Sequence, residues 1–372
     1  MLLFAASLLI ALLVPVIFLI LLRTFDLHKT AKFNRNIFTL ICGLGAYAIA
    51  AQVNPLIADL GDLPRLQVVR VVAPIVEEII KSVILIYLVR RADFNYVVDG
   101  ALYGFGVGIG FALVENVEYL GRASADVVLL LAVARVFSTN LMHATGSGLI
   151  GTALAYHRGA TNKRLGLLVI FGGYIFAILF HAIFNTLVNM NILLFFAIGY
   201  GAAGAALIWF VIRKGMEAQK AWVGEKLGME DRVTKEETRA VTSIEKMVET
   251  LIQPFQERFG EDKVSLVKDL MYKQAEMGIK RKLLEVTPSP TKRKEVEEII
   301  QSLYLEMENL RKQIGMYPMM FVREVYLAHE MRLWDVLQVR IAESGTGQKG
   351  GGVWDMTTAR IRQSKPRGED PS

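Results

Sequence analysis

Cysteine, histidine and charge are scarce in this chain. A single cysteine, Cys42, among 372 residues excludes an intrachain disulfide. Charged residues make up only 21% of the chain and are unevenly spread. Through Arg213 there are 15 lysines and arginines against 10 aspartates and glutamates; beyond it there are 27 against 26. The net charge of +6 therefore sits mainly in the first part, where loop charges set membrane topology, and gives no sign of nucleic-acid binding. No basic stretch precedes the charge-free run Leu2–Leu22 and no small-x-small cleavage site follows it. That run is expected to be a retained span rather than a signal peptide. The intramembrane Glu77-Glu78 segment has no second copy, which argues against the internal repeats of transporters.

Hydrophobic residues, by contrast, account for 53% of the chain, and the mean hydropathy is +0.38. Apolar runs of bilayer-spanning length recur at about 2–22, 36–53, 69–89, 97–120, 127–156, 165–188 and 192–212. Alternate loops carry Arg23, Lys29, Lys32 and Arg35, then Arg90 and Arg91, then Arg158, Lys163 and Arg164; the last span ends at Arg213 and Lys214. The positive-inside rule then places the N-terminus outside and the C-terminal region in the cytoplasm of a plasma-membrane protein. The expected fold is all-α: a polytopic membrane bundle of about seven transmembrane helices (1–213), a C-terminal cytoplasmic helical domain (214–343) and a disordered tail (344–372). Apolar spacings of three and four, as at Val296, Ile299, Leu303, Met307, Leu310 and Ile314, mark the cytoplasmic helices. His329-Glu330 starts a zincin-like motif, but Leu333 stands where the second histidine is required.

Four polar stretches interrupt the apolar runs: Glu77-Glu78-x-x-Lys81, Phe111-x-x-x-Glu115-Asn116, His143, and His181-x-x-x-Asn185. An ionisable group at mid-bilayer costs about 3 kcal/mol on insertion scales, so four such segments read as one buried site. Lys81 pairs with either glutamate at helical spacing and leaves one carboxylate over for acid–base work. Pro74 is expected to kink the helix just before them and free a backbone carbonyl. Arg135, Thr139 and His143 share a stripe, and Arg135 can neutralise a buried carboxylate. Gly100, Gly104 and Gly108 form one face at spacing four, and Gly106 and Gly110 a second, both suited to close helix packing. His28 and His157 lie in basic loops and read as ordinary surface residues. Counting from the basic loops at 1.5 Å per residue puts Glu78, His143 and His181 roughly 18–25 Å deep, in the outer half of a ~30 Å core. Ser147 in Gly146-Ser147-Gly148, with His181 as base, offers a serine-protease alternative, but it leaves every glutamate unexplained. A proton-coupled transporter or an inactive scaffold are the non-enzyme alternatives.

The order Glu77-Glu78-x-x-Lys81, Asp99-Gly100-x-x-Tyr103-Gly104, Gly110-Phe111-Ala112-x-x-Glu115-Asn116, Arg135 eight residues before His143-Ala144, and His181-Ala182-x-Phe184-Asn185 resembles the PrsW family of intramembrane proteases. That family is distantly similar to the type II CAAX prenyl endopeptidases. The resemblance covers about 69–190. The last motif often ends in Asp in that family; Asn185 here cannot ionise. The resemblance implies proteolysis of membrane-anchored proteins within the lipid bilayer, with anti-sigma factors as the best-known class. It implies Glu77, Glu78, Glu115, His143 and His181 as the essential set, with Asn185 beside them and Lys81, Asn116 and Arg135 in support. In one version Glu115, His143 and His181 hold zinc and Glu78 deprotonates the bound water. In the other Glu78 activates water without a metal, while His181 and Asn185 stabilise the oxyanion.

Overall fold

The computed structural model describes residues 2–24, 33–188, 194–228, 231, 233–243 and 247–324. Every regular element among them is helical. The tail 344–372, and Lys29 and Lys32 of the first basic loop, lie outside the described residues. The helices are α1 (Leu2–Thr24), α2 (Phe33–Leu60), α3 (Arg65–Gln67), α4 (Ala73–Val89), α5 (Val97–Gly121), α6 (Val128–Phe137), α7 (Thr139–Gly159), α8 (Lys163–Val188) and α9 (Leu194–Lys226). Then follow α10 (Lys235–Thr242), α11 (Gln253–Phe259), α12 (Val264–Val286), α13 (Pro290–Ile314) and α14 (Met316–Glu324). The described residues up to Arg323 form one compact unit.

Among the described residues, six helical stretches are long and apolar enough to cross a membrane: Leu2–Leu22, Asn34–Leu60, Val97–Gly121, Val128–Gly159, Lys163–Val188 and Phe195–Lys226. The chain is thus a multi-pass membrane protein with an all-α bundle. The remaining predicted span, 69–89, takes a different form. Its start is a π-helical turn, Val68–Val72, and only the 17 residues of α4 are regular α-helix. At 1.5 Å per residue α4 alone covers about 26 Å, short of a ~30 Å hydrocarbon core. The span predicted at 127–156 is broken at Ser138 (φ −122°, ψ −74°), whose hydroxyl donates to Ala134 O at 2.6 Å. Such back-bonding competes with the helical ladder and bends it. The last span runs on to Lys226, beyond Arg213.

α5 is the central helix. Along its most apolar stretch 94% of residues are buried, against 17% for α2 and for α8. Its two glycine faces meet two different neighbours. A Cβ on Gly100, Gly104 or Gly108 would lie 2.2–2.4 Å from the carbonyl oxygens of Gly151, Ser147 or His143, all on α7. On the other face a Cβ on Gly110 would meet the Leu40 carbonyl oxygen of α2, and one on Gly106 the Thr39 hydroxyl. Bare backbone therefore lets α5 lie directly against α7 on one side and α2 on the other. This crossing fixes His143, on α7, against Glu115, seven residues beyond Gly108 on α5.

Candidate active site

α4, α5, α7 and α8 each bring one of the four polar stretches to a common point. On α4, Glu78 and Lys81 are fully buried and joined by a 2.6 Å ion pair. Burying either charge alone would cost several kcal/mol, so each holds the other in place. Glu78 Oε1 also accepts from His181 Nδ1 at 3.0 Å, while its Oε2 has no hydrogen-bond partner among the described residues and faces Gly146. Lys81 Nζ lies 3.0 Å from His143 Nδ1 and 4.8 Å from the Phe111 ring centroid. His143 Nε2 lies 2.9 Å from Glu115 Oε2, and the same oxygen is 2.9 Å from a terminal nitrogen of Arg135. The two imidazoles meet edge to face with centroids 4.7 Å apart.

These groups form two layers. Glu78, Lys81 and His143 lie behind the wall of a cavity of about 420 Å³; Glu77, Glu115, Arg135, His181 and Asn185 line it. Glu77 Oε2 stands 3.8 Å from His181 Nε2, and Asn54 of α2 donates to Glu77 Oε1 at 3.2 Å. Arg135 is fixed by donation to Asn116 Oδ1 at 2.8 Å and by the Tyr119 ring 4.0 Å away; Asn116 in turn donates to Asn140 at 2.8 Å. Arg135 and Asn116 thus support Glu115.

Asn185 supports the backbone at the start of α4. In the π-helical turn Ala73 N–H bonds to Val68 O, five residues back. Pro74 has no N–H to give to Val69 O in the same register, and Asn185 Nδ2 donates to that carbonyl at 3.0 Å. The carbonyl expected to be freed before Pro74 is there, and an amide takes it.

One ligand atom each from Glu77, His143 and His181 falls within 4.8 Å of the others, close enough for the three to share a metal ion. The carboxylate in this group is Glu77, whereas the resemblance suggested Glu115. Glu115 is instead engaged by His143 and Arg135. Two imidazoles and a carboxylate suit a catalytic zinc with an open fourth position. His181 is ready for such a role: Glu78 takes its Nδ1 proton, leaving the Nε2 lone pair beside Glu77. His143 is not in the same state. An ammonium can only donate, so Lys81 makes Nδ1 the acceptor and leaves the proton on Nε2, directed at Glu115. The donor set fits, on condition that His143 gives up that proton.

Ser147 is fully buried and its hydroxyl has no partner among the described residues, while His181 Nδ1 is held by Glu78, so no Ser147–His181 pair exists. Asn54, Asn140 and Tyr119 are site residues that the sequence did not single out. Asn54 stands one residue past the expected end of the second span, where a polar residue reads as the water boundary. The structure continues α2 through it to Leu60.

Residues 33–216 match the family described as PrsW family intramembrane metalloprotease. The protease PrsW of Clostridioides difficile (strain 630) is 28% identical over 116 residues, which is 31% of this chain and 49% of that protein. The chain therefore spans about half the length of the curated relative it matches. No solved structure gives a significant match.

Proposed function

Because residues 33–216 belong to the PrsW family of intramembrane metalloproteases, we propose that this chain hydrolyses peptide bonds of membrane-anchored proteins at the cavity lined by Glu77, Glu115 and His181. An anti-sigma factor or another regulatory protein is the proposed substrate class. The plasma membrane is the proposed location, with the N-terminus outside and a helical domain, 214–343, in the cytoplasm. The observation that carries this reading is the approach of ligand atoms of Glu77, His143 and His181 to within 4.8 Å of one another, at a cavity that Glu77 and His181 line inside the helical bundle.

Glu77, His143 and His181 would hold the metal, and zinc is the ion their donor types favour. When bound, it would supply Lewis acidity toward the scissile carbonyl and toward water. The protein's own groups do the rest. Glu78 sets the tautomer of His181, and Lys81 balances Glu78. Arg135 keeps Glu115 in the cavity wall, where its carboxylate is placed to take a proton from the attacking water and return it to the leaving amine. The cavity lies at the ends of α2, α5 and α8 remote from Arg90 and Arg158, so cleavage is expected in the outer half of the membrane or just outside it. A cut mapped to the cytoplasmic edge would refute that placement.

Glu77→Gln is the cleanest test, because Glu77 lines the cavity and is spared the Lys81 pairing that makes Glu78 structurally costly to change. The variant should still co-purify with a co-expressed membrane-anchored substrate but no longer cut it. Cleavage at the wild-type rate would remove Glu77 from the reaction. Association without cleavage by the wild type would favour a scaffold.

A further inference from the structure

The C-terminal helices make a buried polar contact with the membrane bundle that the reaction does not use. Lys280 of α12 is fully buried, as are Met277, Ile279 and Leu283 of the same helix, and Glu276, Arg158, Asp99 and Asp93 are the charged groups that act on it. Its ammonium donates to Ala92 O at 2.7 Å and Phe94 O at 3.3 Å. Both carbonyls belong to the segment joining α4 to α5. An apolar side chain of the same length would pack as well without the cost of burying a charge, so the position is used for its donors.

The same segment is gripped from the other side. Arg158, at the end of α7, donates to Val89 O at 2.7 Å and to Arg91 O at 2.6 Å. Four carbonyls at and beyond the C-terminus of α4 are thus held by two cations, where helix-end carbonyls lack partners of their own. Arg158 stands on the helix of His143, and the carbonyls follow the helix of Glu77 and Glu78. α12 is itself seated closely: a Cβ on Gly278 would lie 2.9 Å from Val223 Cα of α9. Tyr96, at the end of this segment, meets Trp222 of α9 with ring centroids 4.1 Å apart and planes tilted by 48°.

We propose that Lys280 is a positioning residue: through it the C-terminal helices hold the end of α4, and so set the placement of Glu77 and Glu78 about 17 Å further along the same helix. The site is then under the control of α12, and lifting α12 from this seat loosens α4 and lowers turnover. The turnover part rests on the protease reading above; the placement part does not.

The test compares the full-length protein with Lys280→Met and Lys280→Arg in lipid vesicles, following amide hydrogen exchange and cleavage of a membrane-anchored substrate. In Lys280→Met, exchange should rise at least tenfold in residues 90–99 and also rise within Ala73–Val89. kcat should fall at least fivefold with KM unchanged, and Lys280→Arg should recover both readouts. Faster exchange confined to 90–99, or unchanged kcat in an active preparation, would overturn the proposal, leaving Lys280 a local anchor. Faster exchange throughout the protein in Lys280→Met, without recovery in Lys280→Arg, would also overturn it. If the wild type cuts nothing, the protease reading fails, and exchange within Ala73–Val89 alone decides the placement claim.

Discussion

Gly108→Ala tests whether the bare-backbone crossing of α5 and α7 sets the site geometry. The added methyl would sit 2.4 Å from His143 O and 2.5 Å from Ala144 Cα, where ordinary contact is 3.4–4 Å. Both are backbone atoms of a helix, so the relief is a parting of the helices by about 1 Å. Overpacking of this kind costs about 1–3 kcal/mol, offset by about 1 kcal/mol of helix propensity, so the fold should survive. The chemistry should not. Glu115 rides on α5 and His143 on α7, so the same parting stretches their 2.9 Å contact to about 3.9 Å, beyond a hydrogen bond. A misplacement of about 1 Å can cost 10²-fold in rate. Turnover of a membrane-anchored reporter, with thermal unfolding in detergent alongside, measures both effects. Gly100→Ala meets Gly151 O at 2.3 Å on the same crossing, yet lies about 12 Å from Gly108 along the helix. It should cost similar stability and much less activity. Gly45→Ala, with nothing within 4 Å, should change neither. Wild-type turnover in Gly108→Ala would refute the reasoning.

Three further outcomes are expected. Mass spectrometry of purified protein should find about one zinc per chain, lost in His143→Ala and His181→Ala; active protein without metal would assign water activation to the carboxylates alone. Asn185→Asp replaces the donor to Val69 O with a second acceptor, and should cost about 1–3 kcal/mol in thermal or denaturant unfolding; unchanged stability would remove the amide from the support of the π-helical turn. The third concerns pH. Burial brings the Lys280 ammonium down to about 8, against Glu276 on its own helix and Asp99 and Asp93 across the contact, with Arg158 acting in the same direction as burial. Between that value and the ordinary lysine range the unfolded chain holds a proton that the folded chain has released, so stability should rise with pH there. Wild type should therefore gain in Tm relative to Lys280→Arg, which does not titrate, between pH 7 and 10. A constant difference would contradict this.

Much of the site was legible because its residues are expensive where they stand. Glu77, Glu78, Lys81, Glu115, His143 and His181 interrupt apolar runs, and each run supplies its own helix. The two glycine spacings on α5 likewise announced two faces, and the structure gives each its own neighbour. Choosing among the carboxylates was beyond the pattern. Glu77 and Glu78 differ by one residue, about 100° around a helix, and only the packed bundle decides which one meets the cavity. The Ser138 break carried no signal either, since no proline or glycine marks it. Lys280 was hidden for another reason. It bonds to carbonyls 186 and 188 residues away, and a lysine in an amphipathic helix reads as a solvated one.

The central position of α5 has a consequence for how the protein is made. Its glycine faces are covered only when α2 and α7 are both present, and α7 is synthesised after it. At elongation rates of roughly 5–20 residues per second, the 38 residues from Gly121 to Gly159 take about 2–8 s. For that interval α5 has half its seat. His181 arrives later still, on α8. A nascent chain therefore reaches the bilayer with no working centre, and acquires one only once α8 has been inserted. The order of the helices in the chain thus delays assembly of the candidate site until α8 is in place.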